Sequence, residues 1–390
     1  MKAMHLRTAV LALLVVLAAS CGGGMSSMMP MPPPAECVPA SPPEFAYVLN
    51  GDSVAMYTVN SCSGGLTPTM PATVATGSSQ MQPIPEQMVA DPAGRFAYVA
   101  NLVSNATDAA TISMYTINSM TGVLTPTMPA TVPTGFFPQG IGIDPSGKFV
   151  YTANSDDNTV SMFTINQMTG VLTPTTPPAV AAGRSPNAVT VDPTGRFAYA
   201  ANQDDDTISM YNINPTTGVL TPMTPATVFT GGSPFQVTVS PNGKFAYVPN
   251  EIDDSVTGLS QYTIDSATGV LTPNSPPLVT TGNQPTGVAV DPSSKFAFVV
   301  NRMDNSVSMY TIDPSSGNLT PNGIAGTGGE PFRIVVDPSG QFVYVANEDA
   351  PLSIFTLGMN GTLTSAGMVV TGNNAALSVA VTGAATGMKQ

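Results

Sequence analysis

One stretch of this chain comes back again and again, and it restricts the possible folds more than anything else in the sequence. Asp144-Pro-Ser-Gly-Lys-Phe-Val-Tyr-Thr-Ala-Asn154 returns as Asp192-Pro-Thr-Gly-Arg-Phe-Ala-Tyr-Ala-Ala-Asn202 and as Ser240-Pro-Asn-Gly-Lys-Phe-Ala-Tyr-Val-Pro-Asn250. Further copies start at Asp91, Asp291 and Asp337, and a partial copy, Phe45-Ala-Tyr-Val-Leu-Asn50, comes first. Self-similarity with a period of roughly fifty residues marks units that bury their faces only against one another. Each unit reads as four strands. In the fourth, Ala188 to Val191 is strand A, Phe197 to Ala201 strand B, Thr207 to Ile213 strand C, and Val219 to Thr230 contains strand D. Strand C alternates Ile208, Met210 or Tyr211, and Ile213. Asp-Pro-Ser/Thr-Gly is a tight turn joining A to B, because Pro presets φ and Gly accepts φ > 0. Four short antiparallel strands at this spacing make one blade of a β-propeller.

The ends of the array fix its closure. The first unit begins at strand B, and Ala376-Leu-Ser-Val-Ala-Val-Thr382 supplies a strand A with no strand B after it. The expected fold is therefore an all-β, seven-bladed propeller whose C-terminal strand completes blade one and removes the open edges.

The 36 glycines and 38 prolines fit a chain of many turns. The expected organisation is a lipoprotein signal peptide over 1–20, a Gly/Met/Pro-rich linker over 21–44, the propeller over 45–383 and a tail over 384–390. Lys2 and Arg7 precede an apolar run, Ala9 to Ala19, that is too short to span a bilayer comfortably. Leu17-Ala18-Ala19-Ser20-Cys21 resembles a bacterial lipobox, with Cys21 as the lipidated residue. Gly22, rather than Asp, follows it, which by analogy implies the outer membrane in a Gram-negative cell. An oxidising compartment makes a Cys37–Cys62 disulfide the default, and the two residues flank the B–C hairpin of blade one.

Charge sorts by face. Arg95, Lys148, Arg196, Lys244 and Lys295 share one A–B turn position, and the turns start with Asp91, Asp144, Asp192, Asp291 and Asp337, so that face nearly cancels. The B–C loops carry Asp52, Asp108, Asp156, Asp157, Asp204, Asp205, Asp206, Glu251, Asp253, Asp254, Asp304, Glu348 and Asp349, and the D–A loops add Glu86 and Glu330. Only Arg184, Arg302 and Arg333 oppose them, so this face repels anions and attracts cations. Nucleic acid is excluded as a partner by the sign of the charge.

The repeats resemble the YVTN-type propellers and the wider lactonase family of seven-bladed propellers, which includes bacterial 6-phosphogluconolactonase. Tyr-Val-Ala-Asn occurs outright at 98–101 and 344–347, and the resemblance spans about Phe45 to Gly383. It implies a lactone-processing site on one face built from charged residues, histidine among them. The one histidine here is His5, inside the leader. Arg184, Arg302 and Arg333 are the catalytic candidates, able to orient a carboxylate or a lactone carbonyl. Phe137, Phe235 and Phe332, in D–A loops at the channel mouth, are candidate ligand-binding residues. Asp156, Asp157, Asp204, Asp205, Asp206, Asp253 and Asp254 are candidate Ca²⁺ ligands, since hard cations take carboxylate oxygens.

With no histidine to act as base, the leading expectation is a lipid-anchored, extracytoplasmic, monomeric binding module whose acidic face docks a protein or a small cationic ligand. The alternatives are a lactonase-family hydrolase acting on a sugar lactone, and a Ca²⁺-stabilised structural propeller.

Overall fold

Most A–B turns bend where the repeat places its Gly, as at Gly147 and Gly195, and blade six uses Ser294 at the same positive φ. The computed structural model describes residues 43–77, 84–102, 110–251, 258–372 and 376–383. Cys21, Cys37 and the leader lie outside these residues, as do Asp108, Asp253, Asp254 and the tail. Among the described residues, 28 strands form seven four-stranded antiparallel sheets. The closing strand β28 (Ser378–Thr382) pairs with β1 (Glu44–Asn50), Phe45 opposite Thr382 and Leu49 opposite Ser378. The first sheet thus runs β28-β1-β2-β3, with β2 at Ser53–Val59 and β3 at Leu66–Ala75, as closure requires. Each inner strand touches the inner strand of the next blade all the way round: β28 meets both β4 (Ile84–Ala90) and β24 (Pro331–Val336).

Blade four consists of β12 (Pro186–Val191), β13 (Phe197–Asn202), β14 (Thr207–Ile213) and β15 (Leu220–Phe229). Strand A starts two residues earlier than the sequence suggested. Strand B is buried along its whole length because blades cover both of its faces, whereas β15 is mostly exposed. Sandwiching also settles the choice in strand C. Met210 and Tyr211 are both buried, and they join different inter-blade clusters.

Two repeated devices bind blade to blade, and a third caps the A–B turn within a blade. The strand B tyrosine donates its hydroxyl to the carbonyl of the C–D turn glycine in the next blade: Tyr98 to Gly170, Tyr151 to Gly218, Tyr199 to Gly269. Those glycines sit at positive φ, and a Cβ on Gly218 would come within 2.3 Å of the Phe149 ring. Strand C methionines accept from the next strand D, as Met162 Sδ does from Leu220 N at 3.1 Å, and Gln261 Oε1 takes the same role toward Leu319 N. The turn aspartates are buried: Asp192 Oδ1 accepts from both Arg196 N and Phe197 N at 2.8 Å. The A–B face is therefore less a charged surface than a set of capped turns.

Cys62 is disulfide-bonded. No helix among the described residues is long and apolar enough to cross a membrane.

Candidate active site

A bulge re-aims the first residues of five of the inner strands. Ladder register shifts between Pro85 and Gln87 in β4 and between Pro331 and Arg333 in β24, leaving Glu86 and Phe332 at the extra position. Bulges of this kind turn a side chain out of the pleat, commonly beside functional sites. The equivalent residue of blade five is Phe235, held by its N–H to Pro249 O at 3.0 Å and by the Pro234–Asn250 bridge. Ring closure brings these distant segments together.

At the centre is Arg333. It is 6% exposed, and its Nε and Nη1 find no hydrogen-bond partner. Its guanidinium lies 5.2 Å from the Phe235 ring centroid and 5.1 Å from that of Phe332. The two rings meet edge to face at 5.3 Å. Aromatic faces offset part of the cost of burying the cation, but they supply no hydrogen-bond acceptor in the plane of the guanidinium. Burial lowers the Arg333 pKa to about 10, while Glu86 and Glu348 act to raise it. It remains cationic at neutral pH.

Glu86 is the counterpart. Burial pushes its carboxyl up to about 7; Arg333 pulls it down and Glu348 pushes it further up. Glu348, at the end of strand B in blade seven, is also raised, by burial first, against the pull of Arg302.

Arg302 follows β21 (Phe296–Asn301) and reaches across to blade seven. Its Nη2 donates to Glu330 Oε2 at 2.9 Å and to Glu348 Oε2, and its guanidinium lies 5.6 Å from the Phe332 centroid. The loops carrying these acids are tied by backbone, Glu348 N donating to Glu330 O at 2.9 Å.

Of the residues singled out in the sequence, Arg302, Arg333, Phe235 and Phe332 come together. Arg184 does not join them. It is exposed and closes locally on Asp205 at 2.6 Å, with Asp204 O as a further acceptor. Phe137 is half-buried in the loop before the inner strand of blade three, its carbonyl accepting Ser155 N–H. The candidate calcium ligands among the described residues are occupied in loop geometry or face solvent. Asp157 accepts from Phe136 N, Asp204 from Ser185 Oγ and Asp206 from Ser233 N, while Asp156 is exposed. Among the described residues no three acidic, His or Cys side chains gather as a metal site. In the sequence Glu86 is one loop acid among many. The signal that marks it is its place directly after Pro85, matching Phe235 after Pro234 and Phe332 after Pro331.

The comparisons agree with this architecture. The family model described as "Lactonase, 7-bladed beta-propeller" matches residues 45–239 and 226–377. The chain belongs to the seven-bladed propeller lactonase family. Among solved structures similar to it is the periplasmic gluconolactonase of Pseudomonas aeruginosa, 19% identical, with a TM-score of 0.70 over 88% of this chain and 99% of that one. A candidate 6-phosphogluconolactonase from Bacteroides fragilis is 21% identical, with a TM-score of 0.69 over 88% of this chain and 99% of the other. A Lactobacillus plantarum protein gives 18% and 0.69, covering 87% and 99%. At these identities the solved structures show the shared fold. No curated protein matches the chain.

Proposed function

We propose that this protein hydrolyses a sugar lactone at the Arg333–Glu86 centre. The observation that carries this reading is a buried guanidinium with unpaired nitrogens in the field of a carboxyl whose pKa is close to neutral. Family membership supports the hydrolase over the non-catalytic binding module expected from the missing histidine. A carboxyl raised to about 7 does the work of an imidazole base at neutral pH.

In the proposed reaction, ionised Glu86 takes a proton from water and the oxygen of that water attacks the lactone carbonyl. Arg333 donates to the oxyanion that forms. As the tetrahedral intermediate collapses, the ring C–O bond breaks, and the departing oxygen takes the proton back from Glu86. The product is the open hydroxy acid. Phe235 and Phe332 offer apolar faces to the sugar ring. The leader and Cys21 further support an exported, lipid-anchored protein that meets its substrate outside the cytoplasm.

The test is lactone hydrolysis by the purified protein, followed by acid release above the spontaneous rate, with Glu86→Gln beside it. Turnover abolished by the substitution supports the reading; wild-type release no faster than buffer overturns it.

A further inference from the structure

The charges around the centre bear on which lactone it accepts. Arg333 offers unpaired donors, but it is one guanidinium in a cluster of two arginines and three glutamates: Arg302 and Arg333 against Glu86, Glu330 and Glu348. Arg302 is already engaged by Glu330 and Glu348. Arg184 is held at the surface by Asp205. The internal segments outside the described residues, 78–83, 103–109, 252–257 and 373–375, contain no Lys or Arg in sequence. The turn lysines and arginines sit at the A–B end of five blades, the opposite end from Arg302 and Glu348 in the B–C loops.

A phosphate monoester carries nearly two charges at neutral pH and presents three strong acceptor oxygens. Sites that hold it gather several cations or a cradle of backbone N–H groups. Building on the lactone-hydrolase reading, we propose that this site selects lactones that carry no phosphate, and that the Glu330–Arg302–Glu348 clamp is the element that rejects the phosphorylated ones. A neutral lactone needs one donor for its carbonyl oxygen, and its product carries one carboxylate; Arg333 meets both needs. A 6-phosphorylated lactone brings a dianion into a field with net acid and finds no unengaged second cation beside Arg333 among the described residues.

The experiment compares kcat/KM for glucono-1,5-lactone and its 6-phosphate, and calorimetric binding of gluconate and 6-phosphogluconate, on the wild type and on Glu330→Gln. The expected wild-type preference for the unphosphorylated lactone is tenfold or more in kcat/KM, about 1.4 kcal/mol or more. Glu330→Gln, which loosens the hold on Arg302, is expected to narrow that ratio by improving the phosphorylated substrate. Equal or better use of the phosphorylated lactone by the wild type overturns the proposal. So does an unchanged ratio in Glu330→Gln. The binding arm reads selectivity without turnover. If neither lactone is hydrolysed, the catalytic reading fails, while tighter binding of 6-phosphogluconate than of gluconate would separately defeat the selectivity.

Discussion

Tyr344, in the last blade, donates its hydroxyl proton to the carbonyl of Gly64 in the first, at 2.9 Å. The same bond joins five other blade pairs, among them Tyr47 to Gly122 and Tyr247 to Gly317. Blade six has Phe298 where the others have Tyr, buried in a cluster with Phe355 and Leu363 of blade seven. Tyr344→Phe removes one buried hydrogen bond and leaves the carbonyl unsatisfied, so a loss of about 1–2 kcal/mol is expected. Chemical denaturation reads it as a lower midpoint with an unchanged slope. Phe298→Tyr is expected to move the midpoint the other way, and a fall in both variants would show that the hydroxyl is not the stabilising element.

Removing residues 376–390 takes away β28 and leaves the β1 edge unpaired beside exposed apolar faces of Val48 and Tyr47. A large drop in melting temperature with a tendency to self-associate is expected. A truncated protein that melts like the full chain would show that closure adds little.

Arg333→Met separates stability from activity. The substitution removes a buried cation with unpaired nitrogens and keeps apolar volume against Phe235 and Phe332. Thermal stability is expected to hold or rise, as replacing poorly paired buried charges commonly does. Lactone turnover is expected to fall roughly 100-fold, the scale of losing one oxyanion donor. Retained turnover would remove Arg333 from the reaction.

The rate should rise with pH along a limb near 7, where Glu86 ionises, and Glu86→Gln should abolish it. In Arg333→Met the residual limb should shift upward, because Arg333 holds the Glu86 pKa down. Stability should move oppositely to rate. The folded protein keeps the Glu86 proton between its ordinary value of 4.5 and about 7, so this group's contribution falls as pH rises through that window. A Glu86→Gln variant should lose that part of the pH dependence in denaturation.

What could be read from the sequence follows from what is local in it. The repeat states each blade outright, and the unmatched strand at Ala376–Thr382 states how the ring closes. Arg302 and Arg333 stood out because the other described cations, Arg184 aside, occupy the turn position. Arg184 carried the same mark, but an aspartate of the facing loop captures it, and that pairing depends on loop geometry. Glu86 was hidden by number, one acid among many loop acids. Its distinction is burial beside a guanidinium from a blade some 250 positions away in the chain, which only ring closure produces. Met210 and Tyr211 show the same limit: alternation predicts one inward face, whereas a stacked blade has two.

The closing strand also dictates an order of events. A ribosome releases β1 early, but its partner Thr382 lies 337 positions further along. The inner flank of the first sheet therefore stays bare throughout synthesis, while the six later sheets can assemble in sequence as they emerge. Completion of the ring waits for the final strand. Any interruption before residue 378 yields a chain with a sticky edge and no intact candidate site, because Arg333 and Glu86 come into each other's electrostatic field only in the finished circle.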